Sequence, residues 1–218
     1  MLSTKAVEKT IPEIERKFNS VGGDMLKIEY LENCLKQMLP NDAKRFCHIK
    51  LSELYASKLM YKLAAKNMEE AAECATSPKD KIKFYMDEVD LLIKNEDYFL
   101  IDKSFKKAMS HASPIERKQL QDRLKSSLMK RAEEFERRGK NNAAAKIYER
   151  MRELPSITEQ ERIALITKLG QLYSKTGKIR DAMRYEQMAR MPPALKKPTD
   201  GEGEVNVVSY KDLGIDEL

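Results

Sequence analysis

The sequence predicts an all-α fold of about five antiparallel helix pairs, followed by a mostly non-helical C-terminal tail. Three observations predict it. Gly and Pro number only eight each in 218 residues, and 35% of the chain is charged, which is too little turn chemistry for a protein of many short strands. Apolar residues recur at three- and four-residue spacing in segment after segment, the period of a helix with a buried stripe. Prolines and turn glycines then divide the chain into blocks of similar length, as internal repeats would.

The first block, 9–40, carries Ile14 and Phe18, a turn at Gly22 and Gly23, then Ile28, Leu31 and Leu35 before Pro40. In 45–78 the pattern runs through Tyr55, Tyr61, Ala64, Met68 and Ala71 up to Pro78. Leu59 stands there in place of a turn glycine, which predicts a poorly defined break between the two helices. Block 82–114 places Tyr85, Val89 and Leu92 before a turn at Asn95, Glu96 and Asp97, then Tyr98, Ile101, Phe105 and Ala108, closing at Pro114. Block 125–155 has Leu128, Ala132 and Phe135, a turn at Gly139, then Ala144, Tyr148 and Met151 before Pro155. In the last block, 163–193, Leu169, Gly170 and Tyr173 share one helix, Gly177 ends it, Ala182, Tyr185 and Ala189 fall on the next, and Pro192 and Pro193 stop it. Helix starts are marked by Ser77-Pro78, by Ser113-Pro114 with Glu116, and by Thr158 with Glu161 three residues on, the last being a capping-box spacing.

The last block resembles the tetratricopeptide repeat, in which a small residue lets two antiparallel helices approach and larger residues three or four positions away fill the gap. Glu186 departs from the pattern, standing where an aromatic is usual. The block starts lie 36, 37, 43 and 38 residues apart, against about 34 in a regular array. The excess predicts longer helices or an extra turn around 115–124. What the resemblance implies is a right-handed α-solenoid over 1–191, each pair burying its second apolar face on a neighbour, and a Pro- and Gly-containing acidic tail over 192–218. It also implies a non-enzymatic adaptor that holds a peptide or helix of a partner protein in its groove. Members that clamp a C-terminal carboxylate use a Lys and an Asn one turn apart. The corresponding pairs are Ile49 and Glu53, Met86 and Asp90, Met129 and Glu133, and Thr167 and Gln171, and none of them fits.

Catalytic, cofactor and metal sites are absent from the expected functions. His48 and His111 are the two histidines, in different blocks, and Cys34, Cys47 and Cys74 form no CxxC, so neither a zinc site nor a disulfide framework is indicated. The cysteines read as small buried apolar residues. Gly177-Lys178 is followed by Ile179 and has Leu172 where a phosphate loop needs glycine; Gly201-Glu202-Gly203 follows no strand. With no apolar stretch approaching 18 residues and no signal-peptide pattern at the start, the expectation is a cytoplasmic protein with no membrane contact and no small-molecule substrate.

Charge is unevenly placed. Residues 115–197 hold 21 Lys and Arg against 11 Asp and Glu, whereas residues 198–218 hold Lys211 against six acids. A basic C-terminal half suggests an alternative function, association with RNA or the ribosome through phosphate contacts. The candidate polyanion-binding residues are Arg117, Lys118, Arg123, Lys125, Lys130, Arg131, Arg137, Arg138, Lys140, Lys175, Lys178, Arg180 and Arg184. The tail complements that charge and offers Val205, Val207, Val208 and Tyr210. Those four are candidates for docking back on the helices, or on a second copy in a homo-oligomer.

Overall fold

The computed structural model describes residues 7–190, and the tail residues 192–218, with Val205, Val207, Val208 and Tyr210, lie outside them. Among the described residues there are ten helices and no strand. They form five pairs: α1 (Ile11–Ser20) with α2 (Asp24–Leu35), α3 (Asn41–Ser57) with α4 (Tyr61–Glu73), α5 (Pro78–Asn95) with α6 (Tyr98–His111), α7 (Pro114–Arg137) with α8 (Asn141–Arg152), and α9 (Glu159–Lys175) with α10 (Ile179–Arg190). The helix starts follow from local chemistry. Ser77 Oγ accepts from the Asp80 amide at 3.3 Å. Ser113 with Glu116 and Thr158 with Glu161 form reciprocal capping boxes, satisfying amides that a helix start otherwise leaves unpaired.

Four of the five turns within the pairs use one backbone device. The amides of Met60, Asp97, Lys140 and Lys178 donate back to the carbonyls of Tyr55, Leu92, Phe135 and Tyr173 at 2.8–3.2 Å. The residue just before each donor is left-handed: Leu59 at φ 60°, Glu96 at 61°, Gly139 at 70° and Gly177 at 74°. This is the Schellman helix ending, which needs one left-handed residue. The expected vagueness of the break at Leu59 is therefore corrected: the turn is the same as its glycine-containing counterparts, because the backbone bonds hold it despite the side chain.

The excess over the regular repeat length is a longer helix. α7 has 24 residues, about 36 Å, and it absorbs the whole of 115–124. Buried apolar side chains run continuously from Ile14 to Tyr185. In the last pair the small residues allow the approach the sequence required: a methyl at Gly170 would stand 3.4 Å from Glu186 Cγ and 3.7 Å from the Ala182 carbonyl oxygen. The stem of Glu186 thus covers the space an aromatic would fill. Cys34 and Cys47 are buried and Cys74 is half-buried, all three as free thiols.

Successive pairs join by packing α2 on α3, α4 on α5, and α8 on α9. A tyrosine accompanies each of these joints: Tyr55 donates to Glu32 at 2.6 Å, Tyr85 to Glu73 at 2.8 Å, and Tyr173 to Glu149 at 2.9 Å. The joint between the third and fourth pairs differs. There α6 and α7 barely approach, and contact runs through α5 and α7. Arg123 bridges Asp87 at 2.9 Å and Asp90 at 2.6 Å, Ser127 donates to Asp90 at 2.8 Å, and Arg131 donates to the Lys94 carbonyl at 3.1 Å. Arg150 adds an ion pair to Asp102 from α8 to α6.

Candidate partner-binding site

The first helices of pairs three to five lie side by side, and α7 separates two clefts. The cleft between α7 and α9 has a volume of about 520 Å³. Its floor is apolar, from Met129 on α7, Tyr148 and Met151 on α8, Ile157 ahead of α9, and Leu165 on α9. Its rim carries Lys125, Lys130, Glu133, Glu161 and Lys168. Two rim ion pairs tie the walls together, Lys125 to Glu161 at 2.8 Å and Lys168 to Glu136 at 3.0 Å. The Lys125 ammonium, with the Thr158 cap, pulls the Glu161 carboxyl down to about 2. The second cleft, about 700 Å³, lies between α5 and α7 below the Leu59 turn. Lys130 borders both, so the two open on the same side of α7.

The sequence marked Tyr148 and Met151 only as helix-face core and Met129 only as a failed clamp position, and no floor residue as a binding residue. Met129, Met151 and Leu165 look like ordinary core positions, and only the length of α7 and the course of the chain through Ile157 leave space between them. A smaller cleft of about 330 Å³ lies between α4, α5 and α6. Glu88 lines it at 4% exposure, with Oε1 accepting from Ser104 at 2.5 Å and Oε2 without a hydrogen bond. Burial pushes this carboxyl up to about 7, against the Ser104 hydrogen bond and the nearby Lys103 and Lys107.

The candidate basic residues separate into two groups. Arg117 caps α6 by donating to the carbonyls of Met109 and Ala112 at 3.2 and 3.1 Å. Arg123, Lys125 and Arg131 are held in the joints described above, Arg131 also pairing with Glu134 at 2.9 Å and stacking 4.2 Å from the Phe135 ring. These four are spent on the stack itself. Lys118, Lys130, Arg137, Arg138, Lys140, Lys175, Lys178, Arg180 and Arg184 are exposed, and no carboxylate among the described residues lies within 4 Å of them. Arg137, Arg138 and Lys140 surround the α7–α8 turn, Lys175 and Lys178 the equivalent α9–α10 turn. The corresponding turn of the third pair carries Glu96 and Asp97 instead, so the basic edge belongs to the last two pairs.

Both histidines have structural roles. His48 Nδ1 is 3.0 Å from Asn67 Oδ1, and His111 stacks on Tyr85 with ring centres 6.1 Å apart. Among the described residues no group of three His, Cys, Asp or Glu side chains is placed to hold a metal, and no helix is long and apolar enough to cross a membrane.

No protein-family model matches the chain, and no curated protein does. Similar solved structures include YrrB, a TPR protein with an unusual peptide-binding site, at 16% identity over 82% of this chain and 84% of that one, with a TM-score of 0.37. Another is a putative kinesin light chain of Podosopora anserina with nearly identical TPR-like repeats, at 13% identity over 82% and 90%, TM-score 0.37. A third is BtubC (BKLC) from P. vanneervenii, at 14% identity over 90% and 82%, TM-score 0.36. Values this low carry no argument about binding, so the fold rests on the chain's own helix pairs, left-handed turns and interlocked small residues. On that geometry the described residues form a helical repeat stack of five antiparallel pairs.

Proposed function

We propose that the protein is a non-catalytic scaffold that holds a segment of a partner protein along α7. The observation that carries this reading is the α7–α9 cleft, an apolar floor between charged walls, within the size range of sites that bury a ligand. Ion pairs on the rim leave the floor as the main source of binding free energy, since partly exposed pairs contribute little. The neighbouring α5–α7 cleft lets an extended or helical segment continue across Lys130. A display selection of random peptides against the full chain tests it. Ala164 is exposed on the cleft wall, so Ala164→Arg obstructs the floor without disturbing the stack. Selected peptides should lose about tenfold or more in affinity, roughly 1.4 kcal/mol, at an unchanged melting temperature. Equal binding to both proteins would defeat the reading.

A second reading draws on the exposed cations of the last two turns, which have no carboxylate partner and suit an RNA or ribosomal phosphate backbone. With about five phosphate contacts, log affinity should fall against log salt with a slope of roughly −3.5 to −4.5. Arg137→Glu, Arg138→Glu and Lys140→Glu together should weaken binding to all sequences alike. Binding indifferent to salt and to charge reversal would remove nucleic acid from consideration.

A further inference from the structure

The last helix exposes what three of its four counterparts bury, α6 having the half-buried Asp102 at the equivalent position. Counting from each helix start, the fifth residue of α2, α4 and α8 is Ile28, Ala65 or Ala145, each at most 6% exposed. The fifth residue of α10 is Met183, at 64%. The ninth residue of α2 and of α8 is Glu32 and Glu149, the acceptors for Tyr55 and Tyr173 of the following pair. The ninth residue of α10 is Gln187, exposed and with no such donor among the described residues. The end of the stack therefore presents an apolar spot and a hydrogen-bond acceptor in the register that an incoming tyrosine-bearing element uses elsewhere, bordered by Arg180 and Arg184.

We infer that residues 198–218 of the same chain cover this face, with Val205–Val208 on Met183 and the Tyr210 hydroxyl donating to the Gln187 side-chain carbonyl. Three features favour this occupant. Residues 205–210 are four apolar or aromatic side chains in six, about 20 Å of extended chain, comparable to the 12-residue α10 at about 18 Å. Residues 191–204 can span up to roughly 46 Å, ample for the chain to return along α10. The segment carries six acids against Lys211, opposite in sign to the arginines beside Met183. A second copy docked through the same face would set Arg180 and Arg184 of both copies against each other.

The chain contains no tryptophan, so Tyr210→Trp in the full-length protein reports on that position alone, and an indole N–H retains the donor. Docking requires blue-shifted emission protected from a soluble quencher and unchanged across a wide range of protein concentration. Adding Met183→Glu, at an exposed position that leaves the stack intact by circular dichroism, should return the emission to that of solvated indole. Adding Arg180→Glu and Arg184→Glu instead should partly do so. The inference is overturned by solvent-like emission in the parent, by a blue shift that grows with concentration and so reports a second copy, or by a blue shift that Met183→Glu leaves untouched.

Discussion

Leu59 and Glu88 sit in a conformation or surroundings that their side chains oppose, and the left-handed Glu96 shares the backbone strain of Leu59. Leu59 is left-handed and 71% exposed. A left-handed L-residue costs roughly 1–2 kcal/mol, part of which glycine would return as lost chain entropy. Leu59→Gly should raise stability by about 0.5–1 kcal/mol, read as a shift in the urea midpoint, while Gly177→Leu should lower it by about 1–2 kcal/mol. Glu88 is the other. Its carboxyl titrates near 7 in the fold and in the ordinary carboxylate range when unfolded, so the folded state holds its proton more tightly. Its cost is absent at low pH, grows from about pH 4.5 to 7, and is complete above that. Glu88→Gln should therefore stabilise the protein at pH 8.5, by on the order of 2–3 kcal/mol, and change little at pH 4.5. A stability difference independent of pH would exclude burial of a titrating carboxyl as its cause. The sequence showed Leu59 as an anomaly, because a repeat position was visibly filled by the wrong residue. It was silent on Glu88, which lies among Phe84, Leu91 and Leu92 and reads as one more charge between apolar neighbours.

For the helices, apolar spacing and small-residue positions sufficed to pair them, and the turns at Asn95–Asp97, Gly139 and Gly177 are where the sequence placed them. Boundaries were less legible. Blocks read from apolar register began at 45, 82, 125 and 163, whereas the helices start at 41, 78, 114 and 159. Side-chain caps at Ser77, Ser113 and Thr158 set three of these starts, and the turns ahead of the register read from sequence still bury Ala43, Leu120 and Leu124. The cleft floor was hidden for a related reason. Whether Met129 and Leu165 meet a neighbour or leave a gap depends on the distance between α7 and α9, which no local pattern encodes. The small residues of the last pair give the prediction proper to this scale. Ala182 is 4% exposed and its backbone lies against Gly170. Ala182→Leu should cost about 1–3 kcal/mol through overpacking, measured by thermal melting. An unchanged melting temperature would mean α9 and α10 are not in close contact.

Across the whole molecule, the joints are unequal. Three of them combine buried apolar side chains with a tyrosine–glutamate bond. The α5–α7 joint relies on arginine–aspartate and serine–aspartate links instead, and Phe135 stands at the position occupied by Tyr55 and Tyr173, where it has no hydroxyl to donate. In a stack where each pair contacts only its neighbours, stability divides at the weakest interface. Amides of α1–α6 and of α7–α10 should exchange as two separate cooperative units. Asp90→Ala removes the acceptor shared by Arg123 and Ser127 and should widen the gap between the units by about 1 kcal/mol. Uniform exchange along the chain, unaffected by Asp90→Ala, would show the joint to be as firm as the others.

That joint makes ionic strength a mechanical variable. Screening weakens the arginine–aspartate links that set the angle between the two blocks and leaves the apolar joints nearly untouched. With the pivot near the middle of the stack, a small rotation there would be carried as a lever stroke to both ends. A partner gripping α5 and α7 together would brace the hinge, and a partner held by α7 and α9 alone would ride on one arm.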